Sequence, residues 1–415
     1  MHNIAFLFSG QGSQYVGMGK SLFENFSIVR QTFEEANTVL GFDLAKICFS
    51  GRLSELNRPF NMQPAILTYS VAAFRLYMQQ YGIIPRFCAG HSLGEYSALT
   101  CAGSINFADA IEIVYKRGKF VEELLNENVS MSIIDNICKD TVAEVCRKYS
   151  GQENYVTVSC FNSPMQTTIS GHNEAVREVE DIILDCGGKV TPLIGSAPYH
   201  SLLMTSVADR LRDVLKGYNF KPQRYPVISN VSGKPYSDRN SIVDALTTQL
   251  VSPVRWQETM QFLKDKKVDL MVELGPNNIL CNISRENIPG IETVCFSNND
   301  ERQWLANQVT DKENSMKPES IFISKCLAAV AATQNYNDDV TKLKDAIFKP
   351  CEYIKSIQKS ETLTEKKLEE VLENLYLILN AKKVPQTEQL EIFEQIIDET
   401  CMMYCFKDFI LNHFI

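Results

Sequence analysis

The chain has 415 residues, 45% hydrophobic and 22% charged, with 41 Lys and Arg against 50 Asp and Glu and a net charge of −9. That length allows two or three domains with substantial cores, and the acidic balance argues against nucleic acid or an anionic membrane surface as the main partner. No apolar run reaches the roughly 18 residues of a membrane span, and Met1-His2-Asn3-Ile4 has no basic region leading into an apolar one, so no membrane segment and no secretory signal is expected.

In chain order, Ile4-Ala5-Phe6-Leu7-Phe8 is a short uninterrupted apolar run, as in a strand buried on both faces of a parallel sheet. A Gly-rich turn follows. Residues 64–81 read as a helix, with Pro64 near its first position and Gly82 just past its end. Phe87-Cys88-Ala89 predicts a second buried strand, and residues 225–229 and 270–273 two more. This alternation implies a helix-layered α/β sheet. Between them, residues 130–134, 155–160, 166–170 and 189–194 read as strands, and residues 140–148 and 174–184 as helices. That βαββαβ order is the ferredoxin-like unit, inserted into the larger domain. All twenty glycines lie at or before Gly290. Tight βα turns consume glycine, so the chain changes character near residue 300 and continues as helices. Thr362 with Glu365 forms a capping box. Leu368, Val371, Leu372, Leu375, Ile378 and Leu379 form one apolar stripe, and Leu390, Phe393, Ile396 and Ile397 a second. Both predict core packing between helices or onto the main domain. The thirteen cysteines are scattered, with no CxxC pair and no His cluster. Neither a metal site nor a disulfide framework is expected, and a reducing cytoplasm fits best.

Gly90-His91-Ser92-Leu93-Gly94 follows a predicted strand and precedes a helix-forming stretch, the context of a nucleophile elbow. The glycines permit the strained turn that lifts the Ser92 hydroxyl clear of the sheet. A serine nucleophile needs a base. Of the five histidines, His2 and His413 are terminal, and His91 adjoins the serine with its ring directed away. That leaves His172, at a turn inside the insert, and His200, on the loop that re-enters the main domain. His200 is the better placed. Arg117 could hold a carboxylate through two parallel bonds, or simply lie on a solvated face beside Lys116.

Phe8-Ser9-Gly10-Gln11-Gly12-Ser13-Gln14 and Gly90-His91-Ser92-Leu93-Gly94-Glu95 resemble the GQGSQ and GHSLGE signatures of malonyl-CoA:acyl carrier protein transacylases. Asn61-Met62-Gln63-Pro64-Ala65, Asn162-Ser163-Pro164, Pro198-Tyr199-His200-Ser201 and Glu273-Leu274-Gly275-Pro276 resemble further blocks of that family, in order. The resemblance spans residues 3–298. It implies Ser92 as acylated nucleophile, His200 as its base, and Gln249 as the residue whose main-chain carbonyl orients the imidazole. It further implies Gln11 and Leu93 as donors of oxyanion-hole amides, Arg117 as partner of the malonyl carboxylate, and Gln63 as a pocket residue. Leu93 is similar to the malonyl-selecting type. Tyr199, another pocket residue, departs from the usual Phe and leaves larger malonyl-type units open.

Together with the strand and helix pattern, the resemblance implies an α/β-hydrolase-like parallel-sheet domain from residues 1–128 and 197–300; the βαββαβ order places a ferredoxin-like subdomain at 129–196, and the glycine-free stretch reads as a helical C-terminal extension at 301–415. Cys326-Leu327-Ala328-Ala329-Val330-Ala331-Ala332-Thr333-Gln334-Asn335 and Phe348-Lys349-Pro350-Cys351-Glu352-Tyr353-Ile354 in this stretch resemble extensions on discrete acyltransferases that serve modular polyketide synthases in trans. Malonyl-CoA is then the substrate, with no tightly bound cofactor and no metal. The partner is an acyl carrier protein with its phosphopantetheine arm, or polyketide synthase modules that carry one. Carriers are acidic, so docking onto this chain calls for a local basic patch, with Lys116 and Lys119 as candidates. Two rival readings are a hydrolase that clears stalled acyl groups from carriers and a non-catalytic carrier-binding adaptor.

Overall fold

The structure is a computed structural model that describes residues 3–125, 128–237, 239–310, 318–337, 340–358, 360, 363–400, 409 and 412–414. Its strands are β1 (Ile4–Phe8), β2 (Phe87–Gly90), β3 (Val129–Asp135), β4 (Val156–Ser163), β5 (Gln166–His172), β6 (Lys189–Pro192), β7 (Val227–Ile228), β8 (Leu270–Glu273) and β9 (Glu292–Cys295). Two compact units divide the chain: residues 1–74 with 85–305, and residues 75–84 with 306–415. Nothing read along the sequence groups residues 75–84 with the C-terminal segment.

In the first unit, β7-β2-β1-β8-β9 form a parallel sheet. Every residue of β1, β2 and β8 is buried, which is why these strands are written as unbroken apolar runs. Phe8 pairs in register with Gly90, so the turns after β1 and β2 emerge side by side. The strand expected at 225–229 shrinks to Val227–Ile228, because Pro226 has no N–H to give a ladder. The helix expected from Pro64 begins earlier, at Pro59, and runs to Tyr81 with Pro64 inside it. Pro59 takes the N-terminal position that suits the ring.

The second sheet is antiparallel, in the order β4-β5-β3-β6. Helices Lys139–Tyr149 and Asn173–Asp185 cover it around Ile134, Val142, Val158, Ile169, Val179 and Ile183. This is the ferredoxin-like order of elements. Its last strand ends at Pro192 instead of residue 194, because the chain turns through Gly195 at φ 71°. β4 slips register twice. At the first slip Val254 N–H donates to Ser159 O at 2.9 Å, and just before the second Phe161 N–H donates to Val254 O at 2.9 Å. The two halves of the first unit are stitched there by backbone, beside the turn after β2.

The second unit contains helices Pro318–Ala332, Val340–Gln358, Glu365–Ala381 and Gln386–Glu399. Both apolar stripes face one core: Leu368, Val371, Leu372, Leu375, Ile378 and Leu379 pack with Phe393, Ile396 and Ile397, and Leu390 lies at its edge. Thr362 is outside the described residues. The third of these helices is capped by Thr364, whose side chain accepts from Lys367 N–H. Among the described residues no helix is long and apolar enough to cross a membrane.

Candidate active site

β2 leads straight into the Gly90–Gly94 turn and the helix Gly94–Cys101. Ser92 sits at the apex with φ 53°, a left-handed conformation that a serine seldom holds unaided. The flanking glycines are demanded by space. A Cβ on Gly90 would lie 1.9 Å from Gly94 O, and one on Gly94 1.9 Å from Phe8 O. The neighbouring turn is equally close, since a Cβ on Gly10 would lie 2.5 Å from His91 O. Ser92 N–H donates to Asn230 Oδ1 at 2.7 Å, and Ser92 O accepts from Gln249 Nε2 at 2.9 Å. Two side chains from distant segments thus hold the strained residue from both sides.

Ser92 Oγ lies 2.7 Å from His200 Nε2, and His200 Nδ1 lies 2.7 Å from Gln249 O. With Nδ1–H donating to that carbonyl, Nε2 carries the lone pair that faces the serine hydroxyl. His200 is buried. Burial pushes its pKa down to about 3, the Gln249 bond opposes this, and the nearby Arg117 and His91 push further down. The ring is therefore neutral at physiological pH. His172 is not near the serine: its Nδ1 accepts Tyr155 N–H at 2.9 Å within the small sheet. His91 turns away as expected, with Nε2 2.9 Å from Asn162 Oδ1 and its ring edge-on to Trp256. Gln11 and Leu93 lie on the two adjoining turns. Among the described residues neither main-chain N–H donates within the protein. A Cβ placed on Gly10 would lie 3.4 Å from Leu93 N, a measure of how closely the turns approach.

Arg117, on helix Phe107–Glu122, is only 1% exposed and so is no surface residue. Its Nη1 donates to Gln63 Oε1 at 2.7 Å, while Nε and Nη2 have no hydrogen-bond partner. The guanidinium lies 5.2 Å from the Tyr199 ring centroid and 5.6 Å from that of Tyr96. Gln63 completes the group by donating from Nε2 to Tyr199 Oη at 3.3 Å. A buried cation with two idle donors is costly unless an anion joins it. Of the flanking lysines, Lys116 bonds Tyr218 and Glu112, and Lys119 lies over the Phe60 ring.

Ser92, His200 and Tyr199 open on a cavity of about 240 Å³ between the two sheets' layers. Gln11 and Ser196 form one wall, and Met131, Ile133 and Leu193 of the small sheet's side another. Arg117, Gln63, Leu93 and Gln249 do not line it; Arg117 and Gln63 meet it through Tyr199. Among the described residues no group of His, Cys, Asp and Glu is placed to hold a metal ion.

The family model described as acyl transferase domain matches residues 5–294. A malonyl CoA-acyl carrier protein transacylase of Bacillus subtilis is 36% identical over 400 residues, covering 95% of this chain and 100% of its own length. The chain belongs to the malonyl-CoA:acyl carrier protein transacylase family. It is an acyltransferase. The Salmonella typhimurium transacylase is 42% identical over 287 residues, or 69% of this chain and 93% of its own. In structure, the Coxiella burnetii transacylase matches with TM-score 0.72 and 33% identity over 74% of this chain and 98% of that one. A malonyl-transacylase in complex with a type II polyketide synthase acyl-carrier protein matches with TM-score 0.71 and 37% identity, covering 75% of this chain and 100% of that chain. The transacylase fold, a parallel sheet with a separate antiparallel sheet, is the fold of this chain's first unit.

Sequence reasoning missed two residues at the transacylase elbow. Asn230 also donates from Nδ2 to Gly90 O at 2.7 Å. Glu95 is wholly buried beside it. Glu95 stood inside the recognised GHSLGE block, but Asn230, 138 positions from Ser92, carried no local signal.

Proposed function

We propose that this chain transfers a malonyl group from malonyl-CoA to the phosphopantetheine thiol of an acyl carrier protein, through a malonyl ester on Ser92. His200 takes the Ser92 proton as Oγ attacks the thioester carbonyl, and returns it to the departing CoA thiolate. The Gln11 and Leu93 N–H groups stabilise the tetrahedral oxyanion, each such donor contributing about 2.7–4 kcal/mol. The carrier thiol then attacks the ester and the steps reverse, so the transfer is ping-pong. Gln249 orients the imidazole, Tyr199 shapes the pocket with Gln63 bonded behind it, and Arg117, also behind Tyr199, binds the malonyl carboxylate through the donors that have no partner.

The observation that carries this reading is the Ser92–His200–Gln249 chain at 2.7 and 2.7 Å beside a buried, half-satisfied guanidinium. A hydrolase of simple acyl groups has no use for Arg117. Nothing in the mechanism needs a bound cofactor. In the same proposal, residues 1–128 and 197–300 are the acyltransferase domain, 129–196 its ferredoxin-like subdomain and 301–415 a helical extension. The enzyme works in the cytoplasm and supplies extender units in trans for polyketide or fatty acid synthesis. Support for that role comes from the structural match to a polyketide malonyl-transacylase and from the Bacillus subtilis relative that is matched along most of the extension too.

The test is the intact mass of the protein after brief exposure to malonyl-CoA or acetyl-CoA. A malonyl-sized increment with malonyl-CoA alone, absent in Ser92→Ala and passed on to a holo-carrier, supports the proposal. Steady CoA release without an increment would replace it with the hydrolase, and neither signal would leave the adaptor.

A further inference from the structure

We infer that Glu95 is a positioning residue whose ionised carboxylate sets the geometry between Ser92 and His200. The inference rests on the reading of Ser92 and His200 as nucleophile and base. Glu95 lies in the first turn after the elbow, fully buried. Its Oε1 accepts Tyr236 Oη–H at 2.6 Å and Asn230 N–H at 3.1 Å, and its Oε2 accepts Gln249 Nε2–H at 2.5 Å. With the Ser229 side chain, four donors from two segments, the turn at 229–236 and helix Ser241–Val251, converge on one carboxylate, and no Lys, Arg or His pairs with it among the described residues. Burying an acid without a cation is expensive, so its bonds must do something that a neutral core residue would not.

Two of those bonds lead to the reacting groups. Asn230 is held by its backbone N–H while its side-chain Oδ1 grips Ser92 N–H. Gln249 is held by its side chain, which also grips Ser92 O, while its backbone carbonyl carries His200 Nδ1–H. The nucleophile and the base are thus tied to one anion, each through a single residue. A carboxylate suits this node because it only accepts. An amide there would set its NH2 against a second donor. Relief would come if Gln249 turned its own amide over, and that gives up the bond to Ser92 O.

The same network makes the geometry sensitive to protonation. Burial pushes the Glu95 carboxyl up to about 7, against the lowering effect of the Tyr236, Gln249 and Asn230 bonds. Protonated, it would donate to Tyr236 and accept from the others as a neutral group, at about half the strength. The titratable groups facing it are Tyr236, pushed well above its ordinary range by burial and by this carboxylate, and Tyr96, raised by burial. Arg117, on the helix packed alongside, lies against the Tyr96 ring instead. His200 stays neutral across this range. Glu273, bonded to Ser9 at the cavity wall, is pushed up to about 7 by burial as well, so the limb belongs to Glu95 when Glu95→Gln abolishes it and Tyr236→Phe moves it.

The experiment is the single-turnover rate of Ser92 acylation by malonyl-CoA from pH 5.5 to 8.5, read by quenching and intact mass. The wild type should slow as pH falls through about 7. Glu95→Gln should be slower by about tenfold or more at pH 8 and insensitive to pH. Tyr236→Phe, which removes one donor that favours the anion, should keep the limb and move it to higher pH. It also keeps the inference testable if Glu95→Gln does not fold. A wild type without the limb, a Glu95→Gln rate equal to wild type, or an unmoved limb in Tyr236→Phe would overturn the inference. Absence of any acyl-enzyme at every pH in the wild type would refute the Ser92–His200 reading itself, and this inference with it.

Discussion

Replacing Arg117 by Met separates carboxylate recognition from the rest of the chemistry. Met keeps most of the side-chain volume on helix Phe107–Glu122 and removes every donor. The guanidinium offers two N–H groups, Nε and Nη2, that no protein atom satisfies. If each makes a charge-assisted bond to the malonyl carboxylate, at about 1.5–3 kcal/mol per bond, their loss raises the barrier by about 3–6 kcal/mol. At about 1.4 kcal/mol per factor of ten, that is roughly a hundredfold to ten-thousandfold fall in kcat/KM for malonyl-CoA. Acetyl-CoA has no carboxylate, so its slow acylation of Ser92 should be unchanged or faster. Folding should change by no more than about 2 kcal/mol. Gln63 Oε1 loses its bond from Nη1, while a largely uncompensated buried charge disappears. Single-turnover acylation by the two thioesters, with urea unfolding as the stability control, gives both numbers. An equal fall for malonyl and acetyl would show that Arg117 shapes the pocket and does not bind the carboxylate. An unchanged malonyl rate would refute the assignment outright.

Three further outcomes follow from the same geometry. His200 titrates near 6.5 in the unfolded chain but about 3 in the folded one, so from pH 6.5 downward only the unfolded state takes up its proton. Stability therefore falls with falling pH, by about 2 kcal/mol at pH 5 from this residue alone. His200→Gln should lack that part of the acid slope, a difference readable in urea midpoints between pH 7 and 5. Gly90→Ala would place a methyl 1.9 Å from Gly94 O, so loss of the folded first unit, seen as loss of near-UV circular dichroism, is expected. A well-folded Gly90→Ala protein with full acylation would contradict the packing described. Leu375→Ala, in the core of the second unit, should destabilise that unit by about 2–5 kcal/mol. Limited proteolysis of residues 340–400 should report it, and resistance equal to wild type would mean that the helices do not share this core.

Local pattern alone carried the parts of the molecule whose physics is local. A strand buried on both faces must be apolar throughout, so Ile4–Phe8 and Leu270–Glu273 were legible as written. The strand-to-helix turn at Ser92 needs glycines on both sides, and the helical stripes at 368–379 and 393–397 need period 3.6. Where one rule competed with another, boundaries shifted. Pro64 read as a helix start although Pro59 takes that position, and Pro226 cut short the strand it preceded. The candidate site depended on the fold. Ser92 and His200 are 108 positions apart, Ser92 and Gln249 157, and only the two adjoining sheets bring them within hydrogen-bond distance. Arg117 beside Lys116 and Lys119 looks like any solvated face until burial leaves two of its donors idle. Asn230 bears no mark of its role, and Glu95 only its place in the GHSLGE block, because a hydrogen bond between remote segments leaves no periodicity in either. The sequence by itself determined which residues could do the chemistry and where the chain turns. Which of them meet, and in what state of charge, was decided by packing, since burial and long-range pairing exist only in three dimensions.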